Sequence, residues 1–142
     1  MANNPYQDQY RQNQVLTATP QQLVLMLYDR ALRDLKQTAE AIEAGDVDGV
    51  NKLLQHVEDI LNELLLSLDI DLPMEEGGEI ALNLGRMYDF YIVRCREANI
   101  TKDPAIVAEL QEQIGNLRQT WAEAMLKAKK EEKSGGDSDE RI

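Results

Sequence analysis

From Val47 to Leu68 the apolar residues return at alternating intervals of three and four: Val47, Val50, Leu54, Val57, Leu61, Leu64 and Leu68. That spacing belongs to a helix whose seam lies along aligned partner helices. Leu53, Ile60 and Leu65 form a second row beside it. The apolar surface is therefore wider than one seam requires, and the chain must supply other helices of similar length to cover it.

Three further segments carry helical patterns. The first starts at Thr19, with Pro20 at the first helical position and Gln22 two residues on. Together these make a capping box with proline where its missing N–H costs nothing. Its apolar rows run through Ala31, Leu32, Leu35, Ala39 and Ile42 to a left-handed stop at Gly45. Asp46 then caps the Val47 helix. "DIDLPMEEGG", from Asp69 to Gly78, breaks the pattern, and a third helix starts near Glu79. Its stripe is read as Ile80, Leu84, Met87, Tyr91, Cys95 and Ala98, with Leu82, Tyr88, Phe90, Ile92 and Val93 off it. After "NITKDP", Asp103 and Pro104 open a fourth helix with the stripe Ile106, Leu110, Ile114, Leu117, Trp121, Met125 and Ala128.

The spacing predicts helices over about 20–44, 47–68, 79–98 and 104–130. At 1.5 Å per residue each is roughly 30–40 Å long. Two of the three connections are short, which makes sequential helices antiparallel neighbours. The expected fold is all-α, an antiparallel up-down-up-down four-helix bundle over residues 19–132. An Asn/Gln-rich N-terminal arm (1–18) packs on it, and a disordered acidic tail (133–142) follows it.

Composition narrows the function. The 142 residues fit one domain with a real core. Asp and Glu number 26 against 15 Lys and Arg, a net charge of −11. That argues against nucleic acid and anionic membrane as partners. Cys95 is the only cysteine, so no internal disulfide or thiolate metal site is expected, which suits a reducing cytoplasm. "MANNPYQDQYRQNQ" lacks the basic and apolar regions of a signal peptide, and no run approaches a membrane span.

Catalytic patterns are missing. A di-iron bundle wants two Glu-x-x-His pairs, and His56 is the one histidine, with Leu53 three residues before it. Cys95 lies on an apolar stripe, Ser67 has no nucleophile elbow, and no Lys-Ser/Thr follows Gly77-Gly78. Asp29, Glu58 and Glu63 read as carboxylates on solvated or capping faces. No enzyme, cofactor or metal is expected. The positive signal is surplus apolar surface: "LVLMLY" (residues 23–28) covers a whole helix circumference, and "YDFYIV" (88–93) sends aromatics in diverging directions. Either the arm and core absorb it, or amphipathic segments of a partner do.

"YRQNQVLTATPQQLVLMLYDRAL", Tyr10 to Leu32, resembles the signature of the flagellar secretion chaperone family, FliS: a Y-x-x-N-x-V/L-x-T-A-S/T-P block running into L-x-x-M-L-Y-D-G-A-L. "GGEIALNLGRMYDFYIVRCREANITKD" is similar to its G-G-E-I-A-x-N-L…L-Y-D-Y…A-N segment, and "LRQTWAEAM" to its L-R-x-x-W-x-x-A run. The likeness spans about Asn4 to Ala128. Arg30 stands where the family usually has Gly, and Asp34 where it often has a bulky residue. Arg94 precedes Cys95 rather than a second Arg, and the 69–76 loop carries extra Pro-Met-Glu-Glu.

The resemblance implies a cytoplasmic export chaperone, not an enzyme. Such a protein holds the disordered C-terminal segment of flagellin, prevents premature polymerisation, and delivers it to the flagellar type III export gate. A weak homodimer stays open. A helical adaptor or anti-factor that binds a regulatory protein is the alternative. The expected partner-binding residues are Tyr6, Tyr10, Leu16, Leu23, Leu27 and Tyr28 at the N-terminal side. On the second and third helices they are Leu53, Ile60, Tyr88, Phe90 and Ile92. Core packing is the competing expectation for each, above all for Leu27 and Tyr28. Asp29 and Asn83 are expected as polar anchors between helices.

Overall fold

The computed structural model describes residues 18–69 and 73–140, with side chains through residue 132 apart from Met74. Four helices follow one another: α1 (Pro20–Glu43), α2 (Val47–Leu66), α3 (Gly78–Thr101) and α4 (Pro104–Glu140). A 3-10 turn, Met74–Glu76, precedes α3. No strand occurs among the described residues. Helix α1 packs on α2 and α4, and α3 packs on α2 and α4. This is the cyclic order of an up-down-up-down bundle, with α1 and α3 on one diagonal.

The ends form as the local chemistry dictates. Gln22 N–H donates to Thr19 Oγ1 at 3.2 Å, and Thr19 N–H donates to Gln22 Oε1 at 2.9 Å, completing the capping box. Gly45 adopts φ 73°, which only glycine takes without strain, and Asp46 then caps α2 through Gly49 N–H at 3.0 Å. Helix α2 ends at Leu66, where the Ser67 hydroxyl donates to the Leu64 carbonyl at 2.6 Å. Helix α3 runs three residues past the expected end. It stops at Lys102, at φ 55°, whose ammonium donates to the carbonyl and side-chain oxygens of Asn99 and to Asn51 of α2. Asp103 Oδ1 accepts from Ala105 N–H at 2.9 Å and opens α4.

The α4 backbone is helical to Glu140, past the boundary at 132 expected for the bundle. The side chains on which the expected tail depends lie outside the described ones, as does the N-terminal arm.

The core is one cluster drawn from all four helices. Helix α2 contributes Val50, Leu54, Val57, Leu61 and Leu64, as its stripe predicts, and Ile60 of the second row, whereas Val47, which opens the stripe, is 56% exposed. Helix α3 corrects the expectation. Its inward residues are Ala81, Leu84, Tyr88, Tyr91, Cys95 and Ala98, a strict three-four alternation, with Ile92 alongside. Ile80 and Met87 were assigned to the stripe by their size, yet they are 67% and 37% exposed. Smaller Ala81 takes the inward place because the wheel, not bulk, decides the facing side.

Two features of the interior were not legible beforehand. Across the α1–α3 diagonal the phenol hydroxyls of Tyr28 and Tyr88 are hydrogen-bonded to each other, their rings 6.5 Å apart. Glu58 and Asp34 are also buried. Glu58 accepts from Arg96 Nε at 2.9 Å, and Asp34 faces His56 Nδ1 at 3.2 Å.

Removing one hydroxyl of the tyrosine pair strands the other in the core, a cost of about 1–3 kcal/mol. Tyr28→Phe and Tyr88→Phe are each expected to lower stability by that amount in urea titration. The double variant should fall less than the two losses added. Full additivity would show that the hydroxyls do not act as a pair.

Candidate functional site

Both ends of the bundle carry incompletely covered apolar residues. At the far end, by the Gly45 and Lys102 turns, Thr38, Cys95, Ala98 and Val107 are fully covered, while Ile42 is half-buried and Val47 and Ile100 are exposed. At the near end, where α1 begins, eight apolar side chains are half-buried. These are Leu23, Val24 and Leu27 of α1, Leu65 and Leu68 at the end of α2, Leu84 of α3, and Leu117 and Trp121 of α4. They form a ring of partly covered apolar surface around that end.

A second apolar surface lies on α3. Ile80, Met87 and Arg94 are seven residues apart and share one edge of the helix. Arg94 reaches Glu109 of α4, so that edge faces α4. The α3–α4 seam is thus bonded in its far half and apolar but open in its near half. Phe90 and Val93 continue the apolar surface outward, 50% and 49% exposed. Phe90 packs edge-on against Tyr91 at 5.9 Å, which fixes its ring on the surface.

A polar side-chain contact crosses each seam among the described residues. Three are ion pairs, Glu58–Arg96 between α2 and α3, Glu109–Arg94 between α3 and α4, and Asp29–Arg118 between α4 and α1, and between α1 and α2 Asp34 faces His56. Asp29 is therefore the inter-helix anchor expected of it. Asn83 is exposed and makes no side-chain bond among the described residues.

The expected partner-binding residues divide accordingly. Tyr28, Ile60, Tyr88 and Ile92 are core residues, each at most 5% exposed. Their aromatic and branched bulk marked them, but bulk does not tell inward from outward. Leu23, Leu27 and Leu53 are half-buried, and Phe90 is exposed. Tyr6, Tyr10 and Leu16 lie outside the described residues. The reading missed Ile80, Met87, Val93 and Trp121 as surface. The strict alternation from Ala81 to Ala98 was the signal that would have placed Ile80 and Met87 outside.

The chemistry of the interior is inert. Burial pushes the Cys95 thiol up to about 12, with nearby Glu58 adding to it, so its nucleophilic thiolate is suppressed. Burial likewise raises the Tyr28, Tyr88 and Tyr91 hydroxyls. No group of His, Cys, Asp and Glu among the described residues could hold a metal ion. No helix among them is long and apolar enough to cross a membrane.

The model of the family described as "Flagellar protein FliS" matches residues 2–128. The chain belongs to the FliS family. It is 34% identical over 133 residues to the flagellar secretion chaperone FliS of Bacillus subtilis, covering 94% of this chain and 95% of that one. It is 33% identical over 114 residues to the flagellar secretion chaperone FliS of Salmonella typhimurium, covering 80% and 82%. A solved structure described as a flagellar chaperone from bacteria shares the fold, with a TM-score of 0.69 at 19% identity over 86% of this chain and 96% of that one. FliS proteins are flagellar secretion chaperones, a family that works without catalysis. A flagellar protein partner and the export machinery come with that membership.

The raised thiol and phenols make the stability of the chain fall with alkaline pH. A group whose folded pKa is raised supports the fold fully below its unfolded pKa, and that support drains as pH climbs toward the folded value. For Cys95 the window opens near ~8.5 and closes near 12, and the tyrosines add to the loss from ~10 upward. Urea midpoints should decline steadily above pH 9, and the folded protein at pH 8 should resist iodoacetamide until unfolded. A flat pH profile and rapid native alkylation would contradict the buried site.

Proposed function

We propose that this FliS chain works in the cytoplasm, holding the C-terminal segment of flagellin before export. It keeps flagellin from polymerising early and hands it to the flagellar type III export gate. The observation that carries this reading is apolar surface left uncovered in two connected places: the ring at the near end and the α3 surface of Ile80, Met87, Phe90 and Val93. Monomeric proteins rarely leave large contiguous apolar patches exposed without a use. A rigid bundle with such seams accepts amphipathic helical stretches of a disordered client. Folding that client on the surface costs ~2–5 kcal/mol or more, so a long contact is needed to offset it.

The N-terminal arm is the proposed resting cover. It joins α1 at Ala18, beside the ring, and carries Tyr6, Tyr10 and Leu16. In this reading the arm occupies the near end when no client is bound and yields to flagellin on loading.

Co-purification and calorimetry with the flagellin C-terminal segment test the main reading, and 1:1 capture is the expected result. Retention of a different protein with no flagellin binding would favour the adaptor reading instead. Phe90→Ala and Tyr88→Ala should separate surface from core. The first is expected to weaken the client complex while leaving stability within about 0.5 kcal/mol. The second should cost about 3–5 kcal/mol of stability. Deleting residues 1–15 should raise dye binding and aggregation of the client-free protein. Unchanged solubility together with unchanged client affinity would remove the arm from the mechanism.

A further inference from the structure

Trp121 is the chain's only tryptophan, and nothing above gives it a task. It sits on α4 one turn beyond Leu117, where the core gives way to the half-buried ring, and packs against the core from that side. Its indole N–H donates to the main-chain carbonyl of Gln21 at 3.0 Å. Gln21 is the second residue of α1, inside the turn closed by Thr19 and Gln22. Farther along the same seam, Arg118 Nε donates to Asp29 Oδ1 at 2.8 Å. Among the described residues these are the two side-chain bonds between α4 and α1.

We propose that Trp121 is a positioning residue of the client surface: its indole N–H sets where the first turn of α1 lies, and with it Leu23 and Val24 on the ring. This rests on the functional reading above. The first turn needs such a tether. Its leading N–H groups have no partners within the helix, and among the described residues the capping box and the Trp121 bond are the side-chain bonds that hold it. Leu23 and Val24 follow Gln21 by two and three residues, so a displacement at Gln21 carries them along. The indole stays partly exposed and adds apolar area to the ring. One side chain therefore both fixes a wall of the surface and forms part of it. A segment that occupies the near end must touch the indole or shift it.

Phenylalanine keeps the apolar ring and lacks the donor, so Trp121→Phe isolates the bond. The probe is a tryptophan-free peptide of the flagellin C-terminal segment, titrated into the full chain. Calorimetry gives affinity, and Trp121 emission reports on the site. The wild type should show an emission shift to shorter wavelength that saturates with binding. Trp121→Phe should bind the peptide roughly fivefold more weakly, because binding must then supply the ordering of the first turn that a bond of about one neutral hydrogen bond's worth held beforehand. A merely structural tryptophan would lower the melting temperature and leave affinity within twofold, and that result overturns the proposal. Unchanged emission at saturation overturns it as well, and this decides the matter even if the variant fails to fold. Absence of any binding by the wild type would instead overturn the functional reading, and this inference with it.

Discussion

The hydroxyl pair of Tyr28 and Tyr88 sets the frame for the rest of the bundle. Apolar contacts between helices are tolerant, since one leucine replaces another with little loss of direction. A phenol hydroxyl is not tolerant, because in an apolar interior it must find a partner or lose about 1–3 kcal/mol. By meeting across the diagonal, the two tyrosines hold α1 and α3 at one relative height and rotation. Helix α2 and α4 then fill the two sides that remain. The direction of every other α3 side chain follows from that rotation. With Tyr88 inward, Tyr91, Ile92 and Cys95 turn inward too, while Met87, Phe90 and Val93 turn out.

The ion pairs refine this frame rather than carry it. Arg118 and Asp29 are both substantially exposed, and such a pair contributes ~0.2–1 kcal/mol at most. Their value lies in selecting neighbours, since each seam has its own polar contact. The apolar surface is unevenly covered for the same reason. Arg94 closes the far half of the α3–α4 seam, while Ile80 and Met87 on the same edge are left 67% and 37% exposed. A rigid half supports an open half. That combination suits a protein that must keep its shape while its client gains one.

Most of the fold was legible because helix ends and seams are local. The capping box at Thr19, the stop at Gly45 and the caps at Asp46 and Asp103 depend on residues within a few positions of each other. The α2 stripe was legible because its apolar residues are uniformly large. Helix α3 was harder: its inward row includes small Ala81 and, off the expected stripe, Tyr88, while large Ile80 and Met87 lie outside. Burial of Glu58 and Asp34 depends on Arg96 and His56 of another helix, and no spacing rule reaches that far. The same limit applied to the surface. Sequence showed a surplus of apolar residues but not which of them the neighbouring helices would cover.

The seam between α1 and α4 joins the two ends of the described chain. Trp121 and Gln21 are 100 positions apart, and Arg118 and Asp29 are 89 apart. The first three helices can pair in order as they leave the ribosome, since each meets the one before it. The near-end ring cannot exist until α4 has emerged and folded back on α1. Its wall is therefore built only after the first three helices have been made. A chain whose synthesis stalls before Trp121 has three helices but lacks that wall.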